Sequence, residues 1–280
     1  MKQRFNLSPL RDEIVRLYRE GWSSRKIGLT LNLSHVRILK ILNSEGLERR
    51  KIVKSIPNVT YKNLTHERAY LFGVMCGDGC IFSGTEHKSK WSFKSHIVYL
   101  SVKDRDFLDE YVLAFSRVYG IKPRIYYRER KNGKWSNIWT ARVNRKLVYE
   151  DLVSYNFGKF WVVPHEIMVA NEETICAFLR GLYDSEGSVS LGPRGAAITI
   201  CSVSKEGLEQ VRGLVLKIGI NVSRMMVDAR SFRKNSLFYF YITGSKNYLL
   251  FLKKIGFSIK RKETKLILYL NGLKKEISSV

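Results

Sequence analysis

Residues 71–79 read LFGVMCGDG and residues 179–187 read LRGLYDSEG, so one short pattern occurs twice in this chain of 280 residues. Aligned to each other, the two nonapeptides place Asp78 opposite Glu186, and a glycine follows each acid. An internal repeat of so long a period predicts two similar half-domains and not a short-period solenoid. Each pattern ends a helix with a carboxylate, and packing the two helices together would bring the two carboxylates close to each other.

Small residues recur four positions apart within each pattern. The first copy has Gly73 and Gly77, and the second has Gly181 and Ser185. Small residues at this spacing let two helix backbones approach closely. The glycine after each acid permits a sharp exit from the helix into a strand. The sequence therefore predicts a tight pair of helices, one from each half.

The same order of elements is predicted after each pattern, because helical periodicity gives way to alternation and then returns. The predicted helices span residues 104–118 and 145–156 in the first half and 205–217 and 245–255 in the second. The second pairs of strands are predicted at 124–131 and 134–143, around the hairpin signal Asn132-Gly133, and at 222–230 and 237–243. Each half reads helix, two strands, helix, two strands, helix. This order predicts an α+β fold with antiparallel sheets.

Residues 1–52 form a predicted domain of their own, with three short helices and a tight turn before the third. This is the helix-turn-helix pattern of DNA-binding proteins. On the third helix, His35, Arg37 and Lys40 are polar and could reach base edges or phosphates. A basic linker is predicted over residues 53–61. A small three-helix bundle that contacts another protein is the alternative for this domain.

The chain is strongly basic along its whole length. It has 49 lysines and arginines against 25 acidic residues, a net charge of +24. A basic folded surface predicts a polyanionic partner, and nucleic acid is the first choice. An anionic membrane surface is the second, but the sequence has no long basic amphipathic helix to support it.

The sequence shows neither the apolar core of a signal peptide nor an apolar run long enough to span a membrane. The cysteines form no Cys-x-x-Cys pair and are expected to be free thiols in a reducing compartment; they are Cys76, Cys80, Cys176 and Cys201. We therefore expect a cytoplasmic, nucleoid-associated protein without membrane contact.

The two nonapeptides and the order of elements after them resemble the LAGLIDADG homing endonucleases in their single-chain, two-motif form. The resemblance covers roughly residues 62–275, with the halves at 62–165 and 166–280. It implies a pseudo-twofold fold of two αββαββα halves with saddle-shaped antiparallel sheets. The fused helix-turn-helix domain is an addition to the minimal family domain.

The resemblance also implies a set of site residues. Asp78 and Glu186 would bind divalent metal, with ligands added by the main-chain carbonyls of Gly77 and Ser185. Two carboxylates this close would repel unless a hard, oxygen-seeking cation lay between them. The implied cofactor is Mg²⁺, with Mn²⁺ as a substitute. Lys103 resembles the basic residue that the family places near the metals from a strand, and it is the candidate catalytic lysine.

Alternate residues of a strand share one face, so the predicted strands present rows of basic and aromatic side chains. A twisted antiparallel ribbon fits the major groove of DNA, where arginine can pair with guanine. The candidate DNA-binding residues of the two halves are Arg124, Tyr126, Arg128, Arg130, Arg142, Arg224, Arg230, Arg233 and Lys234.

The function expected from this resemblance is that of a monomeric endonuclease for double-stranded DNA. It would cut a long, asymmetric site and leave 3′ overhangs. Two alternatives stay open: a transcription regulator with an inactive site on the same fold, and a maturase that binds intron RNA. Acids in both motifs favour the enzyme. The chain ends carry no protein-splicing signature, so an intron-encoded or free-standing enzyme is expected.

Overall fold

The computed structural model of the protein divides into two compact units, Met1–Val53 and Lys54–Val280. It describes residues 8–48, 55–88, 91–129, 137–193, 195–228 and 235–278. Within these ranges, none of the helices is long and apolar enough to cross a membrane. The four cysteines are free, as predicted.

The N-terminal unit contains the three helices that the sequence predicts: α1 (Ser8–Arg19), α2 (Ser24–Thr30) and α3 (His35–Ser44). Ser23 and Ser34 cap α2 and α3, each accepting a hydrogen bond from a main-chain amide in the first turn. The turn between them is tight, because Asn32 has a positive φ of 51°. A separate small core holds the helices together; it comprises Ile14, Leu17, Tyr18, Ile27, Ile38 and Leu42.

The second unit repeats one topology twice. The first half consists of α4 (His66–Cys76), β1 (Gly79–Lys88), β2 (Trp91–Val102), α5 (Arg105–Tyr119), β3 (Arg124–Arg128), β4 (Ile138–Asn144) and α6 (Lys146–Val153). A short helix, α7 (His165–Met168), leads to the second half. That half consists of α8 (Glu172–Glu186), β5 (Gly187–Gly192), β6 (Gly195–Ser202), α9 (Lys205–Lys217), β7 (Met226–Asp228), β8 (Leu237–Ile242) and α10 (Ser245–Lys254).

Both sheets are antiparallel and have equivalent strand orders, β1-β2-β4-β3 and β5-β6-β8-β7. The register is equivalent too, because Gly79 pairs with Leu100 and Gly187 with Ile200 at the start of each sheet. The predicted pair of αββαββα halves is therefore confirmed.

The helices α4 and α8 meet backbone to backbone, as their small residues predict. A Cβ atom added at Gly73 would overlap the carbonyl oxygen of Phe178, and one at Gly181 would overlap that of Tyr70. The rest of α4 is buried almost throughout, and one continuous apolar core runs under both sheets. The helix pair therefore joins the two halves of the unit, and it determines the positions of the ends of both motifs.

Besides the short helix α7, which the sequence pattern does not predict, two details differ from the prediction. The strand predicted at 222–230 is shorter, since β7 begins at Met226, so Arg224 lies in the preceding segment and not on a strand. A further helix, α11 (Lys260–Ser278), follows the second half and was not predicted. Its buried Leu266 and Leu270 lie four residues apart, one turn of a helix, and pack into the core. The predicted hairpin turn Asn132-Gly133 lies outside the described residues.

Candidate active site

The two acids of the repeat lie at the same end of the helix pair. α4 ends at Cys76, and Gly77 leaves the helix with φ −104° and ψ −105°, so that Asp78 follows directly. α8 continues through Glu186 before β5 begins. A Cβ atom added at Gly77 would lie 3.1 Å from Cγ of Glu186. The ends of the two motifs thus lie next to each other.

The Asp78 side chain reaches solvent and Glu186 is half-buried, yet the ionised form is disfavoured in both acids. Burial raises the pKa of Glu186 to about 7, with a further contribution from the charge of Asp78, and Lys262 partly opposes both effects. Burial also raises the pKa of Asp78, again opposed by Lys262. Desolvation and a like charge both disfavour a carboxylate, so a cation bound here would relieve an existing electrostatic cost.

One basic side chain at this site, Lys262, was missed by sequence reasoning. Lys262, in the first turn of α11, is only 7% exposed. Its Nζ donates hydrogen bonds to the carbonyl oxygens of Tyr183, at 3.0 Å, and Asp184, at 2.6 Å. Burial lowers the pKa of Lys262 to about 8, against the opposing attraction of Asp184. The sequence signal available for this burial was that Lys262 lies four residues, about one helical turn, before the buried Leu266.

Asp184, an acid within the second motif, has structural partners. Its carboxylate accepts hydrogen bonds from the Tyr70 hydroxyl at 3.0 Å, the Ser258 amide at 2.9 Å and the Ser258 hydroxyl. Burial raises its pKa to about 6, although these hydrogen bonds oppose the rise. Tyr70 lies on α4, so Asp184 joins the two halves. Such contacts indicate a structural role for Asp184.

A cavity of about 270 Å³ opens at the end of the helix pair. Asp78, Lys103 and Ser185 line it together with Lys262, so the structure brings these predicted site residues to one place. Lys103 itself is exposed and follows β2. Gly77 and Glu186 are adjacent to the lining residues in sequence but do not line the cavity themselves.

The donor set available for a metal consists of oxygen atoms. The described residues contain no group of three or more His, Cys, Asp or Glu side chains that could hold an ion. A metal would therefore be held by the Asp78 and Glu186 carboxylates, with main-chain carbonyls such as those of Gly77 and Ser185 and with water or phosphate oxygens. Hard cations such as Mg²⁺ accept such a set, because they keep several water ligands and need few protein groups. The residues fit the cofactor that the sequence implies.

The outer face of the first sheet is basic and aromatic. Arg124, Tyr126 and Arg128 alternate along β3 and are exposed. Arg142 of β4 pairs directly with Arg124, which places both on this face, and Tyr99 of β2 pairs with Arg142 in turn. The structure thus assembles four of the predicted DNA-contacting residues on one surface.

The corresponding face of the second sheet is different in kind. It carries hydroxyl and aromatic residues, among them Ser188, Thr199, Tyr239 and Tyr241. Arg224 is exposed beside this sheet. Four predicted residues, Arg130, Arg230, Arg233 and Lys234, lie outside the described residues. In the separate N-terminal unit, His35, Arg37 and Lys40 are exposed on α3.

The chain matches the family model of the LAGLIDADG-like domain over residues 65–154 and 173–256. These two ranges are the two repeats and cover more than half of the chain. The chain therefore belongs to the LAGLIDADG-like domain family, as the resemblance in sequence predicted.

Relatives by sequence include long proteins with unrelated activities. The chain is 27% identical over 220 residues to the replicative DNA helicase DnaB of Nostoc sp., covering 72% of this chain and 23% of the helicase. It is 24% identical over 255 residues to a glutamine–fructose-6-phosphate aminotransferase of Methanocaldococcus jannaschii, covering 87% of this chain and 21% of that protein. The chain thus spans less than a quarter of either relative, and the two enzyme names carry no activity over to it.

Solved structures share the fold. Variants of the homing endonuclease I-DmoI align with a TM-score of 0.50 at 18% identity, covering 69% of this chain and 96% of I-DmoI. I-DmoI in complex with DNA and Ca aligns with a TM-score of 0.50 at 19% identity, covering 69% of this chain and 90% of the other. This likeness confirms the predicted pseudo-symmetric LAGLIDADG fold.

Proposed function

We propose that the protein is a site-specific, metal-dependent endonuclease for double-stranded DNA. The observation that carries the proposal is the pairing of Asp78 and Glu186 at one end of a helix pair, where Asp78 reaches solvent, Glu186 is half-buried and both have raised pKa values. Two desolvated carboxylates held together are costly unless they bind a cation, and perturbed acids in a cleft are typical of functional sites.

In the proposed reaction, Asp78 and Glu186 hold Mg²⁺ or Mn²⁺, with the carbonyl oxygens of Gly77 and Ser185 as further ligands. A bound divalent cation supplies Lewis-acid stabilisation of charge on the phosphodiester and makes water a better nucleophile. Lys103 is exposed and lines the cavity, and it would contact the phosphate at the cut.

The basic outer face of the first sheet is the proposed DNA surface. Exposed arginines at alternating positions can contact phosphates and base edges along one groove. The second sheet offers hydroxyl and aromatic groups instead, so the two halves would read different sequences. An asymmetric site bound by a monomer follows from this difference.

Three further parts of the proposal rest on the sequence and the family. The N-terminal helices would add contacts through His35, Arg37 and Lys40 and so lengthen the recognised site. Cleavage would leave 3′ overhangs in DNA of the nucleoid, and the gene would be intron-encoded or free-standing. A single-substitution variant of I-DmoI, which has the same fold, has been solved in complex with its target DNA in the presence of Mg. Such complexes of a protein with the same fold support a DNA substrate.

Selection from a randomised duplex library tests the proposal. The protein is incubated with the library in Mg²⁺ and, separately, in Ca²⁺, and both cut ends and bound fragments are sequenced. We expect one long motif among the cut ends, with staggered cuts. Bound motifs without cuts in either Mg²⁺ or Mn²⁺ would instead indicate a regulator, and preferential binding of structured intron RNA would indicate a maturase.

A further inference from the structure

The segment of residues 258–262 closes the open end of the helix pair and contacts both halves. Ser258 bonds to Asp184 of α8 in the second half. In the first half, Asp106 accepts a hydrogen bond from the Lys260 amide at 2.7 Å, and Asp104 accepts two from the Arg261 guanidinium at 2.6 and 2.7 Å. These five consecutive residues are thus held by contacts with both halves, and these contacts also fix the position of Lys262.

Lys262 stands at the base of the acid pair. Its ammonium group is buried and bonds to two main-chain oxygens in the last turn of α8, the helix that carries Glu186. It lines the same cavity as Asp78. Its charge is close enough to lower the pKa of both Asp78 and Glu186. An ammonium group has only donors, so the two carbonyl oxygens leave one N–H for another acceptor.

Burying the ammonium group of a lysine costs free energy. The main-chain oxygens that Lys262 contacts lie in the last turn of α8 and could bond to water instead. The cost is offset only if the positive charge has negative neighbours. Two neighbouring carboxylates without a metal repel each other, and a fixed cation beside them offsets that repulsion. The strongest of the negative neighbours of Lys262 is Asp184, followed by Asp104 and then Asp78, so the ammonium group lies in an acidic cluster that includes one member of the pair.

We propose that Lys262 is the built-in counter-ion of the Asp78–Glu186 pair: in the metal-free protein its ammonium group stabilises the two acids in place until a divalent cation binds. The proposal rests on the metal site proposed above. It makes Lys262 a positioning residue, which acts on the acids and through the last turn of α8. Lys262 thereby takes over, without metal, part of the electrostatic role that the cation has when bound.

Thermal unfolding of four proteins tests this inference: the full-length wild type, Lys262→Met, Asp78→Asn and Lys265→Met. Lys265 is exposed on the same helix and serves as the matched control. In EDTA, we expect Lys262→Met to have a lower Tm than the wild type, and Lys265→Met to have the same Tm as the wild type. Saturating Ca²⁺ should raise the Tm of Lys262→Met by at least about 5 °C more than that of the wild type, because a ligand stabilises in proportion to its preference for the folded state. The Asp78→Asn protein should gain little from Ca²⁺.

Comparing the effect of Ca²⁺ on the Tm of the wild type and of Lys262→Met distinguishes the charge of Lys262 from its packing and hydrogen bonds. Loss of hydrogen bonds to Tyr183 and Asp184 alone would lower the Tm equally with and without Ca²⁺. Equal Ca²⁺ stabilisation of wild type and Lys262→Met would therefore overturn the counter-ion role while leaving the metal site intact. Absence of any Ca²⁺ effect in the wild type would overturn the proposed metal site, and the counter-ion role with it.

A double-mutant cycle covers the case in which Lys262→Met does not fold in EDTA. Its partner is Glu186→Gln, which removes one charge of the pair. We expect Lys262→Met to lower the Tm less in the Glu186→Gln background than in the wild type, because the charge of Glu186 is absent there. An equal cost in both backgrounds, or a double variant that stays unfolded with and without Ca²⁺, would refute the inference.

Discussion

A Cβ atom on Gly181 of α8 would overlap the carbonyl oxygen of Tyr70 on α4 and lie 3.1 Å from the amide nitrogen of Val74. Backbone meets backbone at this point, so neither neighbour can move aside as a flexible side chain could. The two halves of the repeat are therefore held at a separation that only glycine allows, and the acids at the helix ends inherit that geometry.

Gly181→Ala should consequently destabilise the protein by about 2 kcal/mol or more, since overpacking against backbone forces the helices apart. Gly213→Ala is the matched control, because Gly213 lies in helix α9 with open space around it. That control should be neutral or stabilising by roughly 0.5–1 kcal/mol, as alanine favours a helix. Chemical denaturation of both variants measures the difference. Equal free energies of unfolding would show that the helix pair tolerates a wider separation.

The stability of the metal-free protein should fall with pH because of Glu186. Its pKa is raised by burial from 4.5 to about 7 in the folded state, so the folded protein holds this proton more tightly than the unfolded chain. The resulting stabilisation is complete below the unfolded pKa and is lost as pH rises through about 7.

Glu186→Gln removes this dependence. Between about pH 5 and pH 8 in EDTA, the variant should gain roughly 3 kcal/mol relative to the wild type. Denaturant unfolding at a series of pH values gives the difference directly. Parallel stability curves for the two proteins would mean that Glu186 is not desolvated. Glu209→Gln, at an exposed position on α9, is the control and should follow the wild type throughout.

The arginine-rich face of the first sheet should account for part of the salt dependence of DNA binding. Arg124→Gln and Arg128→Gln each remove an exposed charge from β3. If each contacts a phosphate, affinity falls and the slope of log K against log salt decreases by about 1 per substitution. Arg117→Gln is the control, because Arg117 lies on helix α5 and pairs with Glu67. An unchanged slope in the β3 variants would place the DNA elsewhere.

The repeat made the fold predictable because it constrains both halves at once. Small residues at a four-residue spacing indicated the helix contact, and the periodicity that follows each motif gave the order of strands and helices. Lys103 and Asp78, far apart in sequence, could be expected near one cavity from the family resemblance. These features depend on local patterns that occur twice.

The main parts that escaped prediction, helix α11 and its Lys262, have no counterpart in the first half. Helix α11 follows the second half only, so no repeat drew attention to it. Lys262 looks like one more basic residue in a chain with 49 lysines and arginines, and its burial depends on tertiary contacts with Tyr183 and Asp184. Likewise, the short β7 excludes Arg224 because pairing with β8 begins only at Met226. Strand ends of this kind depend on neighbours more than on propensity.

The most direct test of the central claim is the rate of DNA cleavage by Asp78→Asn at a duplex site selected by the wild type. The wild type and the Glu209→Gln control should cut that site in Mg²⁺ or Mn²⁺. Asp78→Asn should bind the same duplex in Ca²⁺ with nearly unchanged affinity, yet cut at least about a hundredfold more slowly, because a metal ligand acts on the transition state and not on DNA recognition. Cleavage by Asp78→Asn at the wild-type rate would contradict the assignment of the paired acids as the active site.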